Sequence, residues 1–227
     1  VSGTGVITLT GDITTEDSTA AGDDGATAED GAQSYAGAVV IHGGDLTLTT
    51  GGGGASFSST INSQASQARA LTIANTDGAV SVTGAIGTGT NGALGALVIG
   101  SAEAAGNTGN ITLADIGTAS AAGAASITVG NSRTGTLTLG GVEYFSSGVQ
   151  TWEADDFNLT GADITIQTTD SNVTFQDGGT GQIVLSDTAD LTIDTGSGGG
   201  NISITPTIAG TTGGANRSED ITLDAGT

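Results

Sequence analysis

The sequence contains no cysteine, so disulfide bridges, thiol nucleophiles and thiolate metal sites are excluded. It also contains no lysine, and its three arginines stand against 24 acidic residues, which gives a formal net charge of −21. A surface with this charge repels phosphate backbones and anionic lipid heads, and therefore argues against nucleic-acid binding and membrane-surface binding. No apolar run approaches the ~18 residues of a membrane-spanning helix, so we expect no membrane insertion.

Short apolar triplets with period two are the main signal that is present. Two apolar residues flank a small polar one, as in LTLTT (46–50), LTI (71–73), ITL (111–113), ITI (164–166) and ITL (221–223). This period places the apolar pair on one face of a β-strand and the Thr or Ser on the other. Turn-forming Gly, Asp, Asn and Ser lie between the triplets, and no stretch carries an apolar stripe at helical spacing. The chain is therefore predicted to be all-β.

The spacing of the triplets favours one β architecture. Many steps between them are about 8–11 residues, and strands this short are poorly suited to a sandwich, whose strands usually run ~5–6 residues or longer. They suit a solenoid in which each turn of the chain stacks ~4.8 Å above the last. A narrow core of that kind also explains how a chain with only seven aromatic residues buries enough apolar area. We predict a right-handed parallel β-solenoid.

The sequence also contains a long internal repeat. GAQSY (31–35) matches GVQTW (148–152) at an offset of 117, Phe57 matches Phe175 at 118, and the triplets at Leu71 and Leu191 match at 120. We interpret residues 1–227 as a single continuous solenoid of about two ~115-residue units, interrupted by an acidic insertion loop at 11–30.

The two ends of the sequence keep the internal rhythm. Joining Thr227 to Val1 would place Ile7 eleven residues after Leu223, close to the twelve residues between Ile99 and Ile111. We expect either a window from a longer tandem array or subunits that stack head to tail as a homopolymer. Neither end resembles a polar cap, and exposed strand edges of this kind form a non-closing interface that makes filaments. The predicted assembly residues are Val6, Ile7, Leu9, Thr10, Ile221 and Leu223.

The run from about 55 to 175 contains the motifs TINS, ALTI, GAVSVTGAIG, NITL, GVQTW and FNLTG. These motifs resemble the β-strand repeats of very large bacterial surface proteins. They are similar to units of filamentous-haemagglutinin-like and autotransporter-passenger-like adhesins, in which a Gly-x-Gln-Thr-Tyr element precedes an x-Leu-Thr strand. The likeness departs at 11–30 and at 194–219. It implies a structural β-helix that is secreted, extracellular or held at the cell surface.

Residues suited to catalysis are scarce. His42 is the only imidazole, and we interpret it as a turn residue. Asp155 and Asp156 follow Trp152, an arrangement that can mark a sugar site. However, a polyuronate-cleaving site generally needs basic residues near the acid groups of the substrate, and this chain has only three scattered arginines. We therefore predict no enzymatic activity. The aromatic residues Tyr144, Phe145, Trp152 and Phe157 are predicted to pack against one another, in the core or between units.

The acidic insertion is the best candidate for a cation site. Its carboxylates Asp23, Asp24, Glu29 and Asp30 are hard oxygen ligands of the kind that Ca²⁺ prefers, and no other cofactor is expected. The other interpretation is a solvated loop that keeps a glycine-rich polymer soluble. The alternative to a fibre subunit is an adhesin fragment in which loops near Asp23 or Trp152 bind a glycan or a host surface.

Overall fold

The computed structural model describes residues 5–15, 31–75, 78–88, 92–100, 109–132, 134–178, 180–210 and 219–226. Throughout these residues the regular structure is β, and every pairing between named strands is parallel, which confirms the predicted β-solenoid. Within the same residues no helix is long and apolar enough to cross a membrane. The strands are β1 (Ile7–Leu9), β2 (Ile13–Thr15), β3 (Gln33–Tyr35), β4 (Val39–Ile41), β5 (Leu46–Thr50), β6 (Ala55–Phe57), β7 (Ile61–Ser63), β8 (Leu71–Asn75), β9 (Val80–Val82), β10 (Leu94–Ile99), β11 (Ile111–Leu113), β12 (Ala124–Gly130), β13 (Thr136–Leu139), β14 (Glu143–Ser146), β15 (Gln150–Glu153), β16 (Asp156–Leu159), β17 (Asp163–Thr168), β18 (Val173–Gln176), β19 (Gln182–Leu185), β20 (Asp190–Asp194), β21 (Ile202–Ile204), β22 (Thr207–Gly210) and β23 (Ile221–Asp224).

The chain winds along three faces, and one circuit of the three is called a coil; most coils contribute one strand to each face. Face A holds β1, β4, β7, β14, β17, β20 and β23, and single bridges at Ile86 and Ile116 continue it where no strand forms. Face B holds β2, β5, β8, β10, β12, β15, β18 and β21. Face C holds β3, β6, β9, β11, β13, β16, β19 and β22. The chain therefore passes A, B, C and then starts the next coil on A.

Faces A and B join into one sheet at their shared corner. The long strand β12 pairs with β14 through Ala124, and from Ile127 onward it pairs with β15.

Coil length varies along the solenoid, since 22 residues separate Val39 from its face A neighbour Ile61 and 30 residues separate Ile86 from Ile116. The extra residues lie in the turns, because the strands themselves stay in register.

The core is a set of apolar columns that run along the solenoid. Inward residues of successive coils stack directly, as in Leu46, Leu71 and Leu97 on face B. The residues between them, such as Thr72, point outward, so that the strands show an alternating burial pattern. The period-two pattern of the sequence therefore corresponds to burial of almost every second side chain in the strands.

Tight stacking of the turns requires glycine at some corners. Gly54 has a φ of +69°, and a Cβ there would collide with the backbone of Ala79 in the next coil. Gly78 faces Gly54 from that next coil, and a Cβ on Gly78 would collide with the Gly54 backbone in turn. Only a residue without a side chain permits this approach.

The members of the long repeat lie on different faces. Gln33 begins β3 on face C, whereas its match Gln150 begins β15 on face B. Phe57 and Phe175 show the same displacement from face C to face B. An offset of about 117 residues therefore does not correspond to a whole number of coils, and the two-unit description stays a prediction about the sequence.

Candidate functional site: the two ends and the clamps between coils

The N-terminal end is the open edge of β1, β2 and β3. In the described residues β1 pairs only with β4, β2 only with β5, and β3 only with β6. Of the predicted assembly residues at this end, Val6 is 68% exposed, Thr10 is exposed, Ile7 is partly buried and Leu9 is buried. The end thus presents unpaired strand edges beside the first layer of the apolar columns.

The C-terminal end is the open edge of β21, β22 and β23. Each pairs with one preceding strand in the described residues, β18, β19 and β20 respectively. Ile221 is 42% exposed and Leu223 is 52% exposed, although both lie in register with the fully buried core residues Leu191 and Ile193. These side chains continue the core columns but lack a covering layer among the described residues.

The direction of the backbone groups shows which hydrogen bonds remain available at β1. Ile7 donates its N–H to the Ala38 carbonyl at 2.7 Å, and the Leu9 carbonyl accepts from His42 at 2.8 Å. Ile7 and Leu9 therefore face β4. Since successive residues of a parallel strand bond to opposite sides, the N–H and C=O of Thr8 face the open edge.

A buried glutamine holds the corner in both members of the Gln-x-aromatic repeat. Gln150 donates through Nε2 to the carbonyls of Tyr144 (2.9 Å) and Gln167 (2.7 Å), and its Oε1 accepts from the Trp152 indole at 3.2 Å. Gln33 donates to the Thr49 carbonyl at 2.9 Å, and its Oε1 accepts from the Tyr35 hydroxyl at 2.7 Å. In each case the aromatic group fixes the amide, and the amide ties backbone segments of adjacent coils together.

The aromatic residues of the motif stack on a phenylalanine one coil later. Tyr35 lies parallel to Phe57 with ring centroids 4.8 Å apart, and Trp152 stacks on Phe175 at 6.2 Å. The repeat members therefore share this contact as well as the glutamine bonds.

Three of the four residues in the predicted aromatic group lie together in the core. Tyr144 meets Trp152 edge to face at 5.6 Å, and Phe157 contacts Phe175 at 5.3 Å. Burial raises the pKa of the Tyr144 hydroxyl, which donates to the Leu113 carbonyl. Phe145 is partly exposed instead, because it follows Tyr144 in the same strand and alternation turns it outward.

Aspartate and asparagine residues form a second connection between coils, which the sequence patterns above do not reveal. In this connection an Asx residue that stands directly before an inward apolar residue accepts, through its side-chain oxygen, the backbone N–H at the matching position of the next coil. Asp45 accepts from Ala70 at 2.9 Å while Leu46 donates back to the Ala70 carbonyl at 3.0 Å. We call this arrangement the Asx clamp. It recurs at Asp12, Asn110, Asp115, Asp156, Asn172 and Asp190.

The predicted calcium ligands Asp23, Asp24, Glu29 and Asp30 lie outside the described residues. Within the described residues no group of three or more His, Asp or Glu side chains is placed to hold a metal ion. Calcium binding by the insertion loop stays a prediction.

The structure separates the acids that follow Trp152 from the indole itself. Asp155 and Asp156 line an open surface recess with Thr180 and Gly181, whereas Trp152 is fully buried. The carboxylate of Asp156 accepts the Gln182 N–H, as an Asx clamp does. His42 is exposed at the turn that follows β4.

Comparison with protein-family models, with curated proteins and with solved structures finds no match to this chain. Proposals about function therefore depend on the residues and geometry described above.

Proposed function

We propose that this chain is a structural subunit or segment of an extracellular or cell-surface fibre, in which copies associate end to end through their terminal strands. The observation that carries the proposal is the pair of open parallel edges. Each of the three strands at either end (β1, β2 and β3; β21, β22 and β23) pairs on one side only among the described residues, and the inward apolar residues of these strands lie in line with the core columns.

The distribution of apolar and charged groups supports association at the ends. Five large apolar residues of the described chain are exposed; Val6, Ile221 and Leu223 belong to terminal segments, whereas Val142 and Val149 lie along the solenoid. Covering such side chains is favourable by about 25 cal/mol per Å² of apolar area. The net charge of −21 meanwhile repels neighbouring solenoids that approach side by side. The balance favours growth along the axis over lateral aggregation.

The work of such a subunit is mechanical. Continuous backbone ladders on three faces, locked by buried glutamines and Asx clamps, resist separation of the coils. No catalytic role is proposed, since the single histidine lies exposed at a turn. The extracellular location rests on the resemblance to surface-protein repeats.

A glycan-binding adhesin fragment remains the alternative. The structure gives it no support at Trp152, because that indole is fully buried and does not present a surface on which a sugar ring stacks.

Sedimentation velocity and negative-stain electron microscopy of the purified full chain test the proposal. We expect the sedimentation coefficient to rise with protein concentration and unbranched filaments one solenoid wide to form. The eight coils of the described residues, at ~4.8 Å each, predict an axial repeat of roughly 40 Å per copy. A single monomeric species at every concentration, with no filaments, would contradict the proposal.

A further inference from the structure

The Asx clamps are directional. In every clamp the side-chain oxygen belongs to the earlier coil and the backbone N–H belongs to the later one. Asn172 accepts from the Asn201 N–H at 2.9 Å, and Asp190 accepts from the Asp220 N–H at 2.9 Å. A stack built in this way has acceptor side chains at its C-terminal end and donor N–H groups at its N-terminal end.

Asn201 and Asp220 occupy the acceptor position at the C-terminal end. Asn201 directly precedes Ile202 of β21, and Asp220 directly precedes Ile221 of β23, as Asn172 and Asp190 precede Val173 and Leu191. Both residues are exposed. In the part of the chain that the structure describes, no later coil donates an N–H to either side chain.

Val6 and Ala32 occupy the donor position at the N-terminal end. Ile7 and Gln33, which follow them, donate to the carbonyls of Ala38 and Gly54 in the next coil, so their own N–H groups are used. By alternation the N–H and C=O of Val6 and Ala32 face the opposite side, where no strand pairs with β1 or β3 among the described residues. Both residues are exposed there.

We propose that the side-chain oxygens of Asn201 and Asp220 accept the backbone N–H groups of Val6 and Ala32 from a second copy of this chain. The second copy docks turned by one face, that is, rotated about the solenoid axis so that its face A continues face B of the first copy. This inference rests on the proposed end-to-end association and specifies its geometry. β1 of the incoming copy stacks on β21, β2 stacks on β22 and β3 stacks on β23. Asn201 then clamps Val6, and Asp220 clamps Ala32.

The turn by one face lets all three incoming strands stack on described strands. β21 and β22 are the last described strands of faces B and C, whereas β23 lies one coil higher on face A. An incoming copy that places β1 on β21 meets all three strands in the order in which the chain winds. A copy docked without the turn would place β1 on β23 and leave a one-strand space of ~4.8 Å above β21 and β22.

In the turned arrangement the inward side chains of the incoming copy stack on inward side chains of the first copy. The apolar residues Ile202, Ile204 and Ile208, which pack only partly buried against the core, gain a covering layer. In the expected register these contacts are Ile7 on Ile202, Leu9 on Ile204 and Ile13 on Ile208. Thr8 meets Ser203 on the outer surface.

Cysteine cross-linking distinguishes the two orientations without interference, because the chain has no cysteine of its own. Outward neighbours in adjacent strands lie at a spacing that a disulfide spans. Under mild oxidation we expect the variant Thr8→Cys/Ser203→Cys to form a ladder of covalent multimers. The variant Thr8→Cys/Thr222→Cys, which reports the unturned arrangement, should remain largely uncross-linked.

The outcomes separate the two proposals. Cross-linking through position 222 and not 203 would overturn the turned orientation but keep end-to-end association. No cross-linking in either variant, together with monomers in sedimentation, would overturn both.

Substitution of the clamp acceptors provides a second test. Asn201→Ala or Asp220→Ala should raise the concentration at which half of the protein assembles by roughly 3- to 10-fold, the effect of losing one hydrogen bond. Asp220→Asn keeps the accepting oxygen and should assemble nearly like the unmodified chain. Asp163→Ala is the matched control, because Asp163 is an exposed strand-start carboxylate whose side chain forms no clamp in the described structure. Equal assembly by Asp220→Ala and Asp163→Ala would contradict the clamp.

Discussion

Replacement of Gln150 by leucine tests how the corners of the solenoid are held. Gln150 is fully buried, and leucine is similar in size but makes none of its hydrogen bonds. The substitution leaves the Trp152 indole N–H without its acceptor and removes a donor from the carbonyls of Tyr144 and Gln167. The packing volume changes little, so the effect reports the polar network.

The expected loss of stability follows from those bonds. A buried donor without a partner costs about 1–3 kcal/mol, and each weakened carbonyl bond adds up to about 1 kcal/mol. We expect Gln150→Leu to lower the free energy of unfolding by about 2–4 kcal/mol. At a slope of about 2 kcal/mol per M urea, the unfolding midpoint falls by about 1–2 M. Trp152 is the only tryptophan and contacts Gln150 directly, so its fluorescence reports this region.

Gln176→Leu is the matched control, because Gln176 is an exposed residue at the last position of β18. Its free energy of unfolding should stay within about 0.5 kcal/mol of that of the unmodified chain, so its midpoint should barely move. A midpoint for Gln150→Leu equal to that of Gln176→Leu would refute the role assigned to the buried amide.

Three further outcomes are expected. Burial, and then the charge of Asp115, raise the pKa of Glu143, so the folded carboxyl binds a proton more readily than the unfolded one and stability from this group falls as the pH rises above 4.5. Glu143→Gln should therefore gain stability relative to the unmodified chain as the pH rises towards neutrality, and a difference that is flat in urea titrations at several pH values would contradict this. Gly130→Ala should cost about 2–3 kcal/mol, because φ is +85° and a Cβ would collide with the Glu153 carbonyl, whereas Gly44→Ala, with open space around its Cα, should change thermal unfolding little. Raising the ionic strength from about 0.01 to 0.15 M should lower the concentration needed for assembly, since it shortens the Debye length from about 30 to 8 Å; light scattering that decreases with salt would argue against repulsion between like-charged subunits.

The β-solenoid could be predicted from sequence because its signal is local. Leu71 and Ile73 are buried and Thr72 is less so, as a period of two requires. The same rule applied to adjacent aromatic residues places Tyr144 inward and Phe145 outward, so that the partial exposure of Phe145 was available from alternation alone.

The arrangement of strands into coils was harder to predict. Coil lengths vary because turns absorb residues without disturbing the ladders, so triplet spacing does not reveal which strands stack. For this reason the repeat that links Gln33 with Gln150 carried no information about the faces they occupy.

The clamps depend on contacts between residues distant in sequence. A buried glutamine contradicts the usual preference of that residue for the surface, and only the aromatic residue two positions later hints at its partner. The Asx clamp leaves a weak trace, an Asp or Asn directly before an apolar strand residue, as in Asp45-Leu46 and Asn172-Val173. Turn residues of this type are common, so the trace becomes meaningful only when the next coil supplies the N–H.

A proline at Thr8 tests end-to-end association most directly. The N–H of Thr8 faces the open edge of β1, so Thr8→Pro removes a donor that the described fold does not use, while Thr8→Val keeps the donor and the branched shape. We predict that Thr8→Pro unfolds at the same temperature as the unmodified chain at a dilution where both are monomeric. At the higher concentration where Thr8→Val assembles, Thr8→Pro should stay monomeric in sedimentation velocity. Assembly of Thr8→Pro at the same concentration as Thr8→Val would contradict the account.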